Sequence, residues 1–186
     1  MKIGIYIFGA SGSGSSTLGR AISDRFSITH VDTDDFIWKK TDPPFSVLND
    51  RQLIISNLQE VVNDNNQFIL SGPLGDLNKY FSEFFSLVIF LHLSDTIRMK
   101  RLMKREKEKY GERIQPGGDM FDQHSRFMRW ASLYHSTNNK VRNYSDHKFL
   151  LNSFKCPTLS LNSSLSIDEL LNEVVEKISS NKANLT

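Results

Sequence analysis

The sequence predicts an α/β domain in three layers, a five-stranded parallel sheet sandwiched between helices and topped by a helical lid. Three observations carry that expectation. Short runs rich in Ile, Val, Leu and Phe alternate with helical patterns, a glycine-rich turn separates the first such run from the first helix, and a charged stretch at 107–142 interrupts the alternation. Alternating strands and helices favour parallel pairing with helices over both faces. A length of 186 residues suits one domain over 1–186 and is too short for two domains and a linker.

Strand-like runs fall at 3–8, 27–31, 67–70, 87–93 and 158–161. After the first turn, Leu18, Ala21, Ile22 and Phe26 recur at helical spacing, as do Leu53, Ile54, Leu58, Val61 and Val62 further on. The cluster Asn63, Asp64, Asn65, Asn66 stops that second helix. Ser166 and Glu169 have capping-box spacing ahead of a final apolar stripe through Ile167, Leu170, Leu171, Val174, Val175 and Ile178, and the tail at 179–186 is expected to fray. Residues 107–142 hold Gly111, Pro116, Gly117, Gly118 and many charges with few long apolar stripes, so they read as an inserted lid.

Composition excludes several classes. With 39% hydrophobic and 24% charged residues the chain is neither disordered nor a membrane protein in character. A net charge of +2 gives no reason to require nucleic acid as a partner. The lone Cys156 can form no internal disulfide, which suits a reducing compartment. The opening MKIGIYIFGASGSG has too short an apolar run for a signal peptide, and nothing approaches the roughly 20 apolar residues of a membrane span, so a cytoplasmic protein with no membrane partner is expected, as monomer or homodimer.

The turn at Gly9-Ala10-Ser11-Gly12-Ser13-Gly14-Ser15-Ser16-Thr17 carries the most chemistry. Between a strand and a helix N-terminus, backbone N–H groups converge on anions, and glycines let a phosphate come close. The phosphate-loop pattern G-x-x-x-x-G-K-[ST] finds Gly9, Gly14 and Ser16 in place, but Ser15 stands where lysine belongs. Ser16 remains the hydroxyl for Mg²⁺, with Thr17 beside it. One cation facing one phosphate charge is worth roughly 4 kcal/mol at about 4 Å and an effective dielectric of about 20, so another group should supply it. Two rival readings stay open at this point: a Gly/Ser-rich turn that binds nothing, and an NAD(P) site built on Gly9, Gly12 and Gly14 with Asp32 and Asp34 about 20 residues on.

Asp32-Thr33-Asp34-Asp35 follows the second strand and should sit at the carboxyl edge of the sheet beside the loop. One carboxylate, Asp32, is expected on the metal side; another, Asp34, is expected to accept a proton from a substrate hydroxyl. Asp35 reads equally as a helix-capping acid. Trp38, Pro43, Pro44 and Phe45 form either an aromatic wall for an acceptor or core packing, while Gly72 after the third strand would let substrate approach. That strand ends without an aspartate, leaving the Asp32 to Asp34 cluster as the substitute metal carboxylate. Further on, Arg98, Arg101, Arg105 and Lys109 fall on one helical face, expected to clamp phosphate or else to lie solvated beside Glu106 and Glu108. Arg113, Arg126 and Arg129 are further lid candidates. The five histidines show no metal-ligand spacing.

With these residues assembled, the chain resembles the P-loop kinases of the adenylate kinase and shikimate kinase type over nearly its whole length. More narrowly, GASGSGSST, DTDD, TDPPF and GERIQPGGDM look like a group of bacterial AAA-family or adenylate-kinase-like ATPases. The resemblance implies the P-loop NTPase sandwich and binding of ATP with Mg²⁺. It also implies an R-x-x-x-R pair in which Arg101 lies over adenine and Arg105 touches phosphate, and a D-x-D in which Asp32 serves metal and Asp34 the acceptor. The nucleotide-monophosphate site of adenylate kinases and the E-R-S signature of deoxynucleoside kinases are not evident. The expected function is therefore transfer of the ATP γ-phosphate to a small-molecule or nucleotide acceptor, with Asp34 and Arg105 catalytic. A nucleotide-binding sensor with slow or no turnover is the alternative that Ser15 allows.

Overall fold

Strands β1 (Ile3–Gly9), β2 (Thr29–Asp32), β3 (Gln67–Ser71), β4 (Phe85–His92) and β5 (Thr158–Asn162) pair in parallel in the order β2-β3-β1-β4-β5. The structure is a computed structural model describing residues 2–136 and 142–183. Helices α1 (Ser15–Phe26), α2 (Asp34–Ile37), α3 (Arg51–Asp64), α4 (Asn78–Phe81), α5 (Asp95–Tyr110), α6 (Phe121–Ser132), α7 (Tyr144–Ser153) and α8 (Ile167–Ala183) connect and cover them.

The strands read as unbroken apolar runs because helices bury both faces of the sheet. Along β1 the side chains alternate: Ile5 and Ile7 meet Leu18 and Ile22 of α1 and Leu170 and Val174 of α8. Tyr6 and Phe8 face the other way, toward Leu58 and Val62 of α3, Phe81 of α4 and Leu151 of α7. Register sets Ile5 beside Ile69 and Leu87, so the middle strand is flanked by apolar side chains on each side.

Several boundaries differ from expectation for local reasons. The second strand starts at Thr29 and not at 27, because Ser27 adopts a left-handed conformation (φ 55°) and its N–H closes α1 on the Ser23 carbonyl. The tail expected to fray from 179 stays helical through Ala183, and 184–186 lie outside the described residues. The final helix keeps its expected capping box, with Ser166 N–H on Glu169 Oε2 at 2.8 Å and Glu169 N–H on Ser166 Oγ at 3.3 Å. Within the expected lid, 107–142, the chain forms the end of α5, a 3-10 turn (Gly111–Ile114) and all of α6, while 137–141 lie outside the described residues.

Candidate functional site

The loop between β1 and α1 is shaped by glycine. Gly12 (φ 84°) and Gly14 (φ 94°) hold left-handed backbone that side chains disfavour. A Cβ on Gly9 would collide with Ser13 Oγ and the Leu91 carbonyl. Ser13 N–H bonds the Ala10 carbonyl at 2.9 Å, closing the turn. Gly14 is the N-cap of α1 and offers no side-chain oxygen, and the first turn holds no acidic residue. No side chain of the loop or of the first turn therefore caps the start of α1, which leaves its amides open to an anion. Ser11, Ser15 and Ser16 are half-buried and Thr17 is exposed, while the buried Ser13 hydroxyl has no hydrogen-bond partner among the described residues.

The acidic edge meets this loop. Ser16 donates its hydroxyl hydrogen to one oxygen of Asp32, and the Asp34 N–H donates to the other at 3.1 Å. The buried Thr33 between them ties the end of β2 to the end of β3, its N–H on the Ser71 carbonyl at 2.8 Å and its hydroxyl on the Pro73 carbonyl at 3.0 Å. Gly72 packs against this knot, and a Cβ there would come within 2.6 Å of Thr33 Oγ1. Burial, reinforced by the Asp32 charge, pushes the Asp34 carboxyl up to about 6, although Arg142 and a hydrogen bond from Trp38 pull it back. Asp34 is thus poised near neutrality, as a general base requires. Asp35 is exposed.

Among the described residues no group of three or more His, Cys, Asp or Glu could hold a metal ion. A hydroxyl touching one carboxylate beside a phosphate loop is nonetheless the donor set that suits Mg²⁺, which keeps waters and phosphate oxygens as its other ligands. Ser16 and Asp32 fit that group.

The cationic face expected on α5 is divided. The inward direction follows Arg98, Leu102 and Glu106, which are buried, and leaves Arg101, Arg105 and Lys109 exposed. Arg98 is 1% exposed and spends its donors on two backbone carbonyls, Ser11 at 3.1 Å and Ala131 at 2.7 Å, and on the Asp95 carboxylate. Burial works to raise the Asp95 carboxyl, yet Arg98 and His135 hold it below the usual range. Arg105 pairs with Glu106 at 2.7 Å. So Arg98 is a tie between the loop and α6 and not part of an open clamp, while Arg101 and Arg105 stand on the accessible flank of α5.

The lid side also grips the segment after β2. Arg113 bridges Asp42 and Asp119, each at 2.6 Å, and Gln123 Nε2 donates to the Pro44 carbonyl at 2.7 Å. Phe45 meets Trp38 edge to face at 5.9 Å and lies under Lys109 at 5.5 Å. Trp38 and Phe45 therefore pack on each other, and Trp38 also hydrogen-bonds Asp34.

A cavity of about 190 Å³ opens at the carboxyl edge, lined by Tyr6, Phe8, Gly9, Pro73, Gly75 and Arg142, with Asp146 and His147 of α7 also on its wall. His147 is buried and bonds Tyr134 Oη through Nδ1 at 2.7 Å. Burial and the nearby Arg142 push its imidazole down to about 3, so it is neutral at ordinary pH. Helix α7 was not expected from apolar periodicity. Its signal was the capping box of Asn143 and Asp146, which the helix uses.

The strand order bears on how the loop is read. In the dinucleotide-binding order 3-2-1-4-5, β2 neighbours β1. Here β3 stands between them.

Residues 5–123 match the family model described as AAA domain. The chain is 35% identical over 181 residues to the Bacillus subtilis (strain 168) protein named "Uncharacterized protein YqaC", covering 97% of this chain and 100% of that one. Among solved structures it is similar to shikimate kinase from Acinetobacter baumannii in complex with shikimate (TM-score 0.58, 16% identity, 98% of this chain and 96% of that one). It is also similar to a gluconokinase from Sinorhizobium meliloti 1021 (TM-score 0.57, 16% identity, 98% and 95%). The fold is that of the P-loop small-molecule kinases, adenylate-kinase-like, with the expected five-stranded parallel sheet and helices on both sides. No helix among the described residues is long and apolar enough to cross a membrane.

Proposed function

The chain belongs to the AAA domain family, and from that premise we propose that it is an ATP-dependent phosphotransferase acting on a small-molecule or nucleotide hydroxyl or phosphate acceptor. The observation that carries this reading is the contact of Ser16 with Asp32 beside an uncapped helix end, two residues from an aspartate whose carboxyl sits near 6.

In this reading the amides of Gly12 and of Gly14 to Thr17 hold the phosphates, with Ser11 and Ser13, whose N–H closes the turn on Ala10, shaping the cradle. Ser16 and Asp32 hold Mg²⁺, which when bound draws charge off the phosphate oxygens. Arg101 flanks the adenine and Arg105 the phosphates. Asp34, ionised, takes the proton of the acceptor hydroxyl. That oxygen forms a bond to the γ-phosphorus as the bond from phosphorus to the β,γ-bridging oxygen breaks, and ADP carries away that electron pair. The segment 107–142 closes as a lid that excludes water. The acceptor enters through the cavity beside Gly72 to Gly75. The protein works in the cytoplasm.

The test is transfer of labelled γ-phosphate to a panel of sugars, hydroxy acids, nucleosides and nucleotides. Turnover on one member at about 1 s⁻¹ or faster is expected, within the usual range for kinases. ATP binding with no transfer to any member would instead favour a nucleotide sensor, the reading that Ser15 in place of lysine supports.

A further inference from the structure

Phosphoryl transfer on this loop leaves one charge unassigned. Loops of this pattern place a lysine on the β- and γ-phosphates, and Ser15 occupies its position. Four arginines of the segment after β4 are candidates to supply that charge: Arg98, Arg101, Arg105 and Arg142. Arg98 touches it directly, but its donors are taken by the Ser11 and Ala131 carbonyls and its charge is balanced by Asp95. Such a group fixes backbone and adds little net field. Arg101 and Arg105 lie on the exposed flank of α5, the latter paired with Glu106.

Arg142 differs from all three. It lines a water-sized gap of about 10 Å³ together with Ala10 and Ser11 of the loop, and it lines the larger cavity together with Gly9, Pro73 and Gly75. The guanidinium therefore stands between the phosphate loop and the end of β3, where the terminal phosphate and an acceptor would meet. It lies over the Trp130 ring at 5.4 Å, a stacking that holds a planar cation in place while leaving its N–H edges for other partners. Among the described residues it forms no ion pair with a carboxylate. Its charge is felt on the cavity wall, where it disfavours protonated His147.

We infer that Arg142 supplies, from the far side of the lid, the positive charge that Ser15 does not, and is a catalytic residue facing the terminal phosphate of the nucleotide. The inference rests on the phosphotransferase reading. It relocates a loop cation to a side chain held by an aromatic ring, and the guanidinium can bridge two phosphate oxygens where an ammonium meets them as a point charge.

Calorimetric titration of MgATP and MgADP into wild type, Arg142→Ala, Ser15→Lys and the double variant tests it. Loss of a charge-assisted contact to the terminal phosphate should weaken MgATP binding by about tenfold or more and MgADP binding by less than about threefold. Ser15→Lys added to Arg142→Ala should restore MgATP affinity to within about threefold of wild type, because it returns a cation to the same phosphates. Arg142→Gln, which keeps most of the side chain's bulk on Trp130 without the charge, should behave as Arg142→Ala and stands in for it if that variant does not fold. Wild type that binds MgATP while both neutral variants bind it equally well would overturn the inference and leave the function standing. Equal loss of MgATP and MgADP that Ser15→Lys does not rescue would overturn it too, as a structural effect. Wild type that binds no MgATP would overturn the function and the inference together.

Discussion

Between Gly9 and Thr17 the phosphate loop is folded by its own sequence, whereas the acceptor side is assembled from four distant segments. The loop needs two left-handed glycines and a helix start, all within nine residues. The proposed acceptor side draws on Asp34 after β2, Gly72 after β3, the Arg113 bridge to Asp42 and the α7 wall with His147. A local motif survives almost any change elsewhere, while a composite site fails when any one segment shifts. The charge balance follows the same division. The segment Gly9 to Thr17 holds no basic side chain of its own, and Arg98 reaches it across 87 positions of sequence.

The largest effect is expected at the composite side. Asp34→Asn should lower phosphoryl transfer by about 10²- to 10⁴-fold with little change in MgATP affinity, because it removes only the proton acceptor. In wild type the rate should rise with pH through about 6, as Asp34 ionises. The sign for stability is opposite: the folded carboxyl holds its proton more tightly than the unfolded one, so its contribution is full below the ordinary carboxyl range and is lost as pH rises through about 6. A rate flat between pH 5 and 7 would remove Asp34 from the mechanism.

Next comes the local side. Gly14→Val should weaken MgATP binding about 100-fold, since a branched side chain at φ 94° must turn the amides away from one another. The steric room is not the reason, because a Cβ there would meet nothing within 4 Å. Thermal unfolding should fall only modestly, and a variant that binds MgATP like wild type would show that the left-handed cap is not what shapes the cradle.

Arg98→Met cuts the tie between the two sides. It strands two backbone carbonyls and leaves Asp95 with His135 as its partner, a loss of about 2–4 kcal/mol readable by urea unfolding. A loss below about 1 kcal/mol would mean that the loop and α6 stand without it. The smallest contrast lies on the rim. Arg105→Ala should weaken MgATP binding by about tenfold and Arg113→Ala by less than about threefold, because Arg113 is engaged by Asp42 and Asp119 and not by the nucleotide. Equal effects would deny Arg105 its place on the phosphates.

The same division explains what could be read from the chain. Five strands, the loop, and the Asp32 and Asp34 placement were legible, because each is a short pattern next to a strand end. Ser16 and Asp32 lie 16 positions apart, and only the neighbouring ends of the strands bring them into contact. The tie made by Arg98 and the setting of Arg142 were not legible. A row of basic residues on one face says nothing of which one turns inward, and Arg98 does so because Leu102 and Glu106 share its ridge against the body of the protein. Arg142 reads as one more lid charge until Trp130 and the loop are seen around it. Helix α7 carries no continuous apolar stripe, because its buried side includes His147, and its capping pair is the clearer signal in the sequence.

The most direct measurement is isothermal titration of MgATP into the wild-type protein. Saturable one-to-one binding with a dissociation constant in the micromolar to low millimolar range, abolished or sharply weakened by Gly14→Val, is what a triphosphate-holding loop predicts. No heat of binding at several millimolar MgATP from folded protein would contradict it.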